Sequence, residues 1–490
     1  MDFKNFLPPP ADLYFVGIKG TGTCALAELM LNAGYRVSGS DTGEVFYTDA
    51  ILKELGIPCH ESFRAEHIKD HTGLVIHSAA WSPETNPELA EARRRGIPVM
   101  KYPEALGAWS ALFDSSGIAG VHGKTTTAAM AGTLVRALGI PAQVLAGSAV
   151  ASFGNRSTLS VGDKYFIAET CEYRRHFLFF HPSNIVLTAV EEDHQDYYPD
   201  FDSIRDAFLE YCRLLPPGGT LVYCADDDGA AGVARTVEDG HRGIRLIPYG
   251  FSAGGPFRIE SYRVPDERAE FRLSAFPDPF ILRVPGRHEA LNAAAALALC
   301  TVLLSERGQD EGEIWNGERR KKAKEGLEQF RGAKRRSEII GEAGGILFMD
   351  DYGHHPTAIA ATLEGLREFY PRRRIIVSFM SHTYTRTAAL LDEFAASFGA
   401  ADVVVLHKIY ASARETNPGG VDGRTLFEKT RARRSRDGRH GEVFYTEEPM
   451  DALPLLRGML RGGDLFITMG AGNNWPLGEA LFARFGGEKP

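Results

Sequence analysis

The segment 120–127, GVHGKTTT, has the residue types of a phosphate-binding loop. It follows an apolar stretch typical of a strand and precedes a stretch typical of a helix. In such loops the backbone N–H groups of a glycine-rich turn bind phosphate oxygens, while Lys124 would add a positive charge and Thr125 a hydroxyl ligand for Mg²⁺. Ile118 stands where the usual pattern has its first glycine. The sequence therefore predicts phosphate binding here, with a loop that binds nothing as the alternative.

A second glycine-rich segment, 17–25, also lies between a predicted strand and a predicted helix. Gly20, Gly22 and Ala25 fit the spacing G-x-G-x-x-G/A, and Asp41 follows at the end of the next predicted strand. This context is typical of a loop that binds a pyrophosphate at a helix N-terminus. NAD(P) and UDP carry the same diphosphate charge, so the pattern does not distinguish them. A tight turn without a ligand is the third interpretation.

Acidic residues and a histidine follow two apolar strands of the central region. Glu169 ends the run YFIAE, and Glu172 comes shortly after it. Carboxylates that end a strand beside a phosphate loop often bind Mg²⁺. The segment 191–196, EEDHQD, follows the run NIVLTAV, at the kind of strand end where open α/β sheets bind ligands. A surface acid and a solvated turn are the respective alternatives.

Two further polar segments follow predicted strands nearer the C-terminus. The segment 350–356, DDYGHHP, combines two carboxylates with two imidazoles. No Cys or further His stands at zinc-ligand spacing, which favours substrate or nucleotide binding over a zinc site. The segment 381–386, SHTYTR, offers a His and an Arg that suit an anionic substrate, with plain surface charge as the alternative.

Alternating strands and helices must position these segments. Helix-like stretches that end in glycine separate strand-like runs at 12–20, 35–41, 73–80 and 97–102. Such alternation predicts parallel strands joined by right-handed crossovers. A second unit begins near Ser110 and contains predicted antiparallel strands over 257–285 and a helix over 289–304. After the charged segment 317–326 comes a third alternating unit, with predicted helices over 355–370, 386–401 and 449–460.

The predicted fold class is therefore α/β with three domains. We expect an N-terminal Rossmann-like parallel sheet (1–109), a central P-loop ATPase-like α/β domain (110–332) and a C-terminal Rossmann-like α/β domain (333–490). The length of 490 residues agrees with three domains of roughly 150 residues each.

Composition and charge argue against several other classes of protein. Apolar residues make up 44% and charged residues 24%, as in a folded globular protein. The net charge of −9 argues against a nucleic-acid partner. Six cysteines without a CxxC pair indicate reduced thiols rather than a disulfide scaffold. The N-terminus lacks a secretion-signal pattern, and the longest apolar stretch, 292–304, is shorter than the ~20 residues that span a bilayer. We therefore expect a cytoplasmic protein without a membrane partner.

Taken together, these segments resemble the Mur ligases, the ATP-dependent amide ligases of peptidoglycan synthesis. GVHGKTTT is similar to the family's ATP loop, IVLTAVEEDHQDYY to its segment with a Mg²⁺-binding His, and GRHEALNAAAALAL to its adenine-contacting segment. FRGAKRRSE, MDDYGHHPTAIAATL, SHTYTRT and GAGNNWPLGEAL are similar to motifs of its C-terminal domain. The resemblance implies a UDP-substrate-binding domain over 1–109, a central ATP-binding domain over 110–332 and a C-terminal Mur ligase domain over 333–490.

The resemblance also implies roles for individual residues. Catalysis would rest on Lys124, Glu169, His194 and Arg336, and Mg²⁺ would be bound by Thr125, Glu169 and His194. The ATP site would comprise Gly120, Val121, His122, Gly123, Lys124, Thr125, Thr126, Asn292, Arg336 and Asp351. The other substrates would contact Gly20, Thr21, Gly22, Thr23, Asp41, Ser78, His354, His382 and Arg386. The chain departs from the family's pattern at Glu289, at Thr383 and over 170–175, where an Asn, a basic residue and further acids respectively are usual.

The implied activity is the formation of an amide between the lactyl carboxylate of UDP-N-acetylmuramate and L-alanine, through an acyl phosphate, with ATP and Mg²⁺. The third domain is expected to close over the site, and the protein to be a monomer or weak homodimer. A ligase that adds a preformed peptide in cell-wall recycling is the first alternative. A nicotinamide-dependent oxidoreductase would use segment 17–25 but leave segment 120–127 unexplained. A non-catalytic UDP-sugar or nucleotide sensor is the third possibility.

Overall fold

Four β-sheets organise the residues that the computed structural model describes, which are 7–194, 197–240, 243–305, 314–411, 415, 420–438 and 441–488. The chain divides into two units. The first unit comprises Met1–Val190, Arg205–Phe257 and Ala295–Ala323, and the second comprises Glu191–Ile204, Arg258–Ala294 and Lys324–Pro490.

The first unit begins with a five-stranded parallel sheet in the order β3-β2-β1-β4-β5. Its strands are β1 (Asp12–Val16), β2 (Arg36–Ser40), β3 (Cys59–His60), β4 (Thr72–His77) and β5 (Val99–Lys101). Its helices are Thr21–Asn32, Thr48–Glu54, Pro87–Arg94 and Tyr102–Ser110. Asn86 shows how the sequence starts one of these helices. Its side chain accepts hydrogen bonds from the N–H groups of Glu88 (2.9 Å) and Leu89 (3.2 Å), and a proline follows at the first helical position.

The first unit continues with a seven-stranded sheet in the order β12-β11-β10-β6-β9-β7-β8. Its strands are β6 (Asp114–Ala119), β7 (Ala142–Val150), β8 (Arg156–Ser160), β9 (Tyr165–Glu169), β10 (Asn184–Leu187), β11 (Thr220–Cys224) and β12 (Arg245–Tyr249). The helices along this stretch are Lys124–Leu138, Phe201–Cys212 and Asp228–Gly240. Only β8 runs antiparallel to its neighbour among these described strands. The other strands are parallel, and β10 is buried along its whole length, as expected for a sheet covered on both faces.

Arg156 on β8 ties the two sheets of the first unit together. Its guanidinium donates from Nη1 to Glu28 Oε1 and lies with Nη2 next to Glu54 Oε1, both at 2.7 Å. Glu28 lies on the helix Thr21–Asn32 and is buried. Because the Arg156–Glu28 pair is shielded from water, it fixes geometry better than an exposed ion pair does. The helix that follows glycine-rich segment 17–25 is therefore attached to the edge of the second sheet.

The second unit contains a small antiparallel sheet, β13-β14-β15, and a six-stranded sheet in the order β16-β17-β21-β18-β19-β20. The strands are β13 (Ile259–Arg263), β14 (Ala269–Leu273), β15 (Phe280–Leu282), β16 (Glu338–Ala343), β17 (Ile346–Asp351), β18 (Arg374–Phe379), β19 (Val403–Leu406), β20 (Glu442–Tyr445) and β21 (Asp464–Met469). The helices from residue 287 onward are Arg287–Leu304, Gly317–Gln329, Pro356–Phe369, Tyr384–Ala389, Leu391–Ser397, Gly423–Arg436, Leu453–Met459 and Trp475–Arg484. Phe348 of β17 packs against Phe466 and Phe482 in the core of the larger sheet.

Most of the predicted elements are present. The α/β alternation is confirmed, the antiparallel strands over 257–285 are β13, β14 and β15, and the helix predicted over 289–304 is Arg287–Leu304. The single helix predicted over 386–401 is wrong, because the backbone of Leu390 (φ −116°, ψ 30°) separates two short helices there. Within the described residues, no helix has both the length and the apolar character needed to cross a membrane.

Candidate active site

The predicted phosphate loop connects β6 to the helix Lys124–Leu138 in the first unit. Its two inner glycines are required by the geometry. A Cβ on Gly120 (φ +136°) would lie 2.2 Å from Thr188 Oγ1, and Gly123 has φ +79°, where other residues are strained. The hydroxyl of Thr188 donates to the carbonyl of His122, which fixes the turn from the β10 side. The loop thus leads directly into a helix N-terminus, whose first N–H groups favour anions.

Lys124 is held by a carboxylate from the turn after β9. Its Nζ donates to the carbonyl of Gly120 and to Glu172 Oε1 (3.1 Å), and Glu172 Oε2 lies at 3.0 Å. Both side chains are shielded, with 12% of Lys124 and 3% of Glu172 exposed. Burial acts to lower the pKa of Lys124, but the carboxylates of Glu172 and Glu169 outweigh burial and raise it. Lys124 therefore stays positively charged at neutral pH.

Thr125 and Glu169, two of the predicted Mg²⁺ ligands, are adjacent. Thr125 Oγ1 donates to Glu169 Oε2 at 2.7 Å. Gly147 on β7 makes room for this carboxylate, since a Cβ there would lie 2.0 Å from Glu169 Oε2. A hydroxyl and a carboxylate at this distance are the oxygen ligands that Mg²⁺ prefers. The third predicted ligand, His194, belongs to the second unit.

The predicted substrate residues of segment 17–25 surround one tight turn. Thr23 Oγ1 donates to the carbonyls of Gly17 (2.7 Å) and Gly20 (2.9 Å), and a Cβ on Gly17 would lie 2.7 Å from Ser78 Oγ. Asp41 lies just after β2, and its carboxylate accepts backbone hydrogen bonds from Lys19 (2.7 Å) and Thr42 (2.8 Å). Asp41 thus holds this turn in the described structure. Thr21 Oγ1 accepts a hydrogen bond from the hydroxyl of Tyr47 at 2.9 Å.

A cavity of about 130 Å³ lies between this turn and the end of β9. Gly22 and Glu169 both line it, together with Tyr102, Cys171 and His176. A Cβ on Gly22 would lie 2.7 Å from Cζ of Tyr102, so the phenol ring packs directly against the helix start. Burial and the nearby charge of Glu169 raise the pKa of Tyr102, which keeps its hydroxyl protonated. In the first unit, a small and mostly apolar cavity is therefore bordered both by Gly22 of segment 17–25 and by Glu169, which accepts from Thr125 of the predicted phosphate loop.

In the second unit, Arg386 pairs with Asp193. The guanidinium donates from Nε (2.9 Å) and Nη2 (2.6 Å) to Asp193 Oδ1, and both residues are buried. Although burial alone would raise the pKa of Asp193, the charge of Arg386 lowers it far below its usual range. Asp193 Oδ1 also accepts the backbone N–H of His194 at 2.7 Å, with His194 at φ +55°. This carboxylate therefore orients both a predicted metal ligand and a predicted substrate residue.

His354 and His382 lie beside this ion pair. Their ring centroids are 6.3 Å apart, and His382 Nδ1 is 3.5 Å from Arg386 Nη1. Burial and the positive charge of Arg386 lower the pKa of His382 to about 4 and that of His354 well below its usual value. His354 Nδ1 lies 3.0 Å from the carbonyl of Tyr352, which can only accept, so Nδ1 carries the proton and Nε2 is free of one. Both imidazoles are neutral at pH 7.

Asp351, the last residue of β17, contacts the turn before β16 that contains Arg336. Asp351 accepts backbone hydrogen bonds from Ser337 and Gly353, both at 2.7 Å. The guanidinium of Arg336 lies 5.0 Å from the ring centroid of Tyr352. The neighbouring Arg335 donates from Nε to Asp350 Oδ2 at 2.9 Å. Burial raises the pKa of Asp350 to about 6, even though Arg335 acts in the opposite direction.

Asn292 faces Glu289 at the start of the helix Arg287–Leu304. Asn292 Nδ2 donates to Glu289 Oε2 at 3.2 Å, and His288 Nε2 lies 3.5 Å from Glu289 Oε1. Burial acts to lower the pKa of His288, but the hydrogen bond and charge of Glu289 raise it overall. The departure at Glu289 therefore sits in the same hydrogen-bonded cluster as Asn292.

Sequence reasoning did not identify three residues that shape these sites. Tyr102 belongs to no motif, and only its packing against Gly22 reveals it. Asp193 lies within the segment 191–196, but its partner Arg386 is distant in sequence. Arg335 precedes the predicted Arg336 and holds Asp350, a role that only coordinates reveal.

Three sequence families match consecutive parts of the chain. They are described as the Mur ligase family catalytic domain (residues 12–114), the Mur ligase middle domain (118–300) and the Mur ligase glutamate ligase domain (335–472). A UDP-N-acetylmuramate--L-alanine ligase from Treponema pallidum is 51% identical over 96% of this chain and 96% of its own length. The chain belongs to the Mur ligase family and is thus an ATP-dependent ligase.

Solved structures show the same fold. A UDP-N-acetylmuramate-alanine ligase from Thermotoga maritima matches with a TM-score of 0.76 at 24% identity, over 97% of this chain and 99% of that one. A MurF ligase from Thermotoga maritima, solved in complex with ADP, matches with a TM-score of 0.58 at 14% identity, over 86% of this chain and 96% of that one. The predicted α/β fold class with N-terminal, middle and C-terminal Mur ligase domains is confirmed.

Proposed function

We propose that this ligase joins L-alanine to the lactyl carboxylate of UDP-N-acetylmuramate, in the cytoplasm, as a step of peptidoglycan precursor synthesis. The observation that carries the proposal is the first unit's cavity, which connects the diphosphate-type turn at Gly22 to Glu169 beside the phosphate loop. A UDP-linked acid that spanned this cavity would bring its carboxylate to Glu169 and Lys124. The name of the Treponema relative, at 51% identity, supports the same substrates.

The residues present fit ATP and Mg²⁺. Gly120 and Gly123 form a cradle that a Cβ would fill, and Lys124 is charged and buried beside it. Thr125 and Glu169 supply hydroxyl and carboxylate oxygens. When bound, ATP supplies the phosphoryl group that activates the carboxylate, and Mg²⁺ would offset negative charge, with His194 as its proposed third protein ligand. We further propose that Asn292, Arg336 and Asp351 contribute to nucleotide binding from the second unit.

The protein's main task in the first step is to reduce charge repulsion. A carboxylate and a phosphate at ~4 Å repel by about 1 kcal/mol per charge pair in water and about 4 kcal/mol in a partly dry site. Lys124 provides a fixed cation at the loop, and Arg336 is the proposed cation of the second unit. Held charges of this kind favour phosphoryl transfer because they need no reorganisation during the reaction.

The second step needs a neutral amine as the nucleophile. His354 and His382 are neutral at pH 7 and are the proposed acceptors of the proton that the amine of L-alanine loses, but their lowered pKa values make both weak bases. In His354, Nε2 is the unprotonated nitrogen that would accept the proton. Arg386 suits the carboxylate of the amino acid or an anionic group of the muramyl substrate, once it exchanges its bond to Asp193.

Domain limits and assembly complete the proposal. We propose a substrate domain over 1–109, an ATP-binding domain over 110–332 and a C-terminal domain over 333–490, supported by the family matches over 12–114, 118–300 and 335–472. We propose a monomer or weak homodimer with small-molecule substrates and no nucleic-acid or membrane partner.

The test is release of phosphate from ATP, measured with each substrate omitted in turn. We expect release only when MgATP, UDP-N-acetylmuramate and L-alanine are all present, with product confirmed by mass spectrometry. Release with a preformed tripeptide but not with L-alanine would reject the proposed amine. Binding of UDP-N-acetylmuramate without phosphate release in the complete mixture would contradict the proposed reaction.

Substitutions test whether phosphate release depends on the loop that contains Lys124. Lys124→Ala should reduce phosphate release by a factor on the order of 100 or more, since one charge that stabilises the transition state is lost. UDP-N-acetylmuramate should still bind. Lys322→Ala is the matched control, because Lys322 is half-exposed and pairs with Glu318 on its own helix.

A further inference from the structure

Glu169 at the end of β9 and Glu172 just after it bind the first two side chains of the helix Lys124–Leu138. Glu169 accepts from Thr125, and Glu172 pairs with Lys124. Glu169 has a role in the proposed reaction as an oxygen ligand for Mg²⁺. Glu172 has none, although it is buried and lies within hydrogen-bond distance of the loop's only lysine.

The backbone that presents Glu172 is strained. Arg174 and Arg175 both adopt left-handed conformations, with φ of +53° and +58°, which non-glycine residues take only where the surrounding structure enforces it. The N–H of Arg175 donates to the carbonyl of Glu172 at 2.9 Å, and its guanidinium pairs with Glu210. The unfavourable backbone therefore lies two and three residues after Glu172, in the turn that its carbonyl helps to close.

The Glu172 carboxylate and a bound phosphate would both be attracted to the charge of Lys124. The ammonium of Lys124 is nearly buried, and its ion-pair partner is Glu172, with Oε2 at 3.0 Å. A phosphate bound at the loop needs the same ammonium and brings further negative charge close to Glu172. In a partly dry site like charges at such distances repel strongly. The carboxylate and the phosphate therefore cannot both be satisfied fully by Lys124.

We infer that Glu172 is a positioning residue that competes with nucleotide phosphates for Lys124. It holds the lysine side chain at the loop between turnovers, and it weakens nucleotide binding so that ADP leaves readily. This inference rests on the proposed function, since it assumes that a nucleotide occupies the loop.

The test is direct binding of MgADP by isothermal titration calorimetry to the full-length wild type and to Glu172→Gln. The amide keeps the shape of the side chain but removes its charge, so we expect the variant to bind MgADP about three- to tenfold more tightly. The melting temperature without ligand should fall, because buried Lys124 loses its counter-ion, and saturating MgADP should remove most of that difference. A residue with a purely structural role would weaken binding instead.

Two further variants keep the test decisive. Glu210→Gln removes the exposed partner of Arg175 on the same turn and should leave MgADP affinity unchanged. Glu172→Asp moves the carboxylate one methylene away from Lys124. It should tighten MgADP binding less than Glu172→Gln does, and it replaces that variant if Glu172→Gln does not fold. Unchanged or weaker binding in the Glu172 variants, with a wild type that binds MgADP, overturns the inference alone. A wild type that does not bind MgADP overturns the proposed function as well.

Discussion

At the scale of single residues, the buried ion pair of Asp193 and Arg386 contributes to the stability of the second unit. Asp193 accepts two hydrogen bonds from Arg386 and one from the backbone of His194. Replacing a buried pair as a whole is often tolerated, whereas removing one partner leaves an uncompensated charge. The side chain of Asp193 therefore matters for stability as well as for orientation.

Asp193→Asn should test this directly. Arg386 would keep a neutral partner but lose its counter-charge, so we expect the free energy of unfolding to fall by about 2–4 kcal/mol. Urea denaturation followed by circular dichroism measures the change. Asp392→Asn is the control, because its ion pair with Lys429 is exposed, and it should lower the free energy of unfolding far less than Asp193→Asn does. Equal effects of the two substitutions would contradict the role of burial.

The residue types of the sites were readable from sequence, but their partners were not. Lys124, Thr125 and Glu169 stand at strand ends and in a glycine-rich loop, positions that local patterns identify. The pairing of Arg386 with Asp193 joins positions 193 residues apart, and no local pattern encodes a contact of that separation. Tyr102 was missed for the same reason, because its relevance comes only from the helix start that it packs against.

At the scale of secondary-structure elements, the start of the helix Thr21–Asn32 is set by a close approach. The ring of Tyr102 packs so close to Gly22 that a Cβ on residue 22 would lie 2.7 Å from Tyr102 Cζ. This contact therefore fixes where the helix begins beside the cavity that Gly22, Tyr102 and Glu169 line.

Gly22→Ala should displace that helix start. We expect a stability loss of about 1–3 kcal/mol from overpacking and a weaker affinity for UDP-N-acetylmuramate, measured by thermal melting and calorimetry. Gly232→Ala is the control, because a Cβ there would meet only the end of the Arg235 side chain, at 3.7 Å, within a helix. Its stability should stay the same or rise slightly. A second substitution, Tyr102→Ala, should restore part of the loss in Gly22→Ala.

His407 links three segments of the second unit. Its Nε2 lies 2.8 Å from Ser378 Oγ and its Nδ1 2.9 Å from Thr446 Oγ1. Burial lowers the pKa of His407 to about 4, against the opposing effect of its bond to Thr446. Between about pH 6.5 and 4, the imidazole is therefore neutral in the folded protein but protonated in the unfolded chain.

This pKa shift predicts acid sensitivity. Between pH 6.5 and 4 the unfolded state binds the extra proton, so the stability contributed by neutral His407 is complete above pH 6.5 and decreases as the pH falls. We expect a loss of about 2 kcal/mol at pH 5 from this residue. Urea unfolding at pH 5 and 7.5 measures it, and His407→Gln should show a smaller difference between the two pH values than the wild type. An identical difference would assign the sensitivity to other groups.

Many elements with clear hydrophobic patterns were predicted, but the apolar strands β7 and β11 and several polar elements were not. The parallel strands appear in the sequence as apolar runs bounded by glycine. The helix Gly423–Arg436 was missed because it is rich in Arg and has few apolar residues. It is held instead by a cap from Asp422 and by buried Arg434, which donates to the carbonyls of Phe398 and Ala401. Strand β8 was missed because it is short and polar.

At the scale of the whole molecule, ligand binding and stability are coupled. Anything that binds the folded chain and not the unfolded chain raises the free energy of unfolding by RT ln(1 + [L]/Kd), about 2.7 kcal/mol at 100 times Kd. The charged, glycine-bounded loop around Lys124 is the proposed site of this coupling.

MgADP should therefore raise the melting temperature of the wild type in a concentration-dependent way, measured by scanning calorimetry. Lys124→Ala should lose most of the increase, and Lys322→Ala should keep it. An equal increase in all three proteins would place the nucleotide elsewhere.

The bond network of Arg156 has a consequence for substrate choice. Through Glu28 it fastens the helix Thr21–Asn32 to β8, and through Glu54 it fastens the helix Thr48–Glu54 to the same strand. These bonds fix the spacing between Gly22 and Glu169, which line the same cavity. If the proposed substrate binds with its diphosphate at Gly22 and its carboxylate near Glu169, a UDP-linked acid with a longer or shorter spacer should be a poorer substrate.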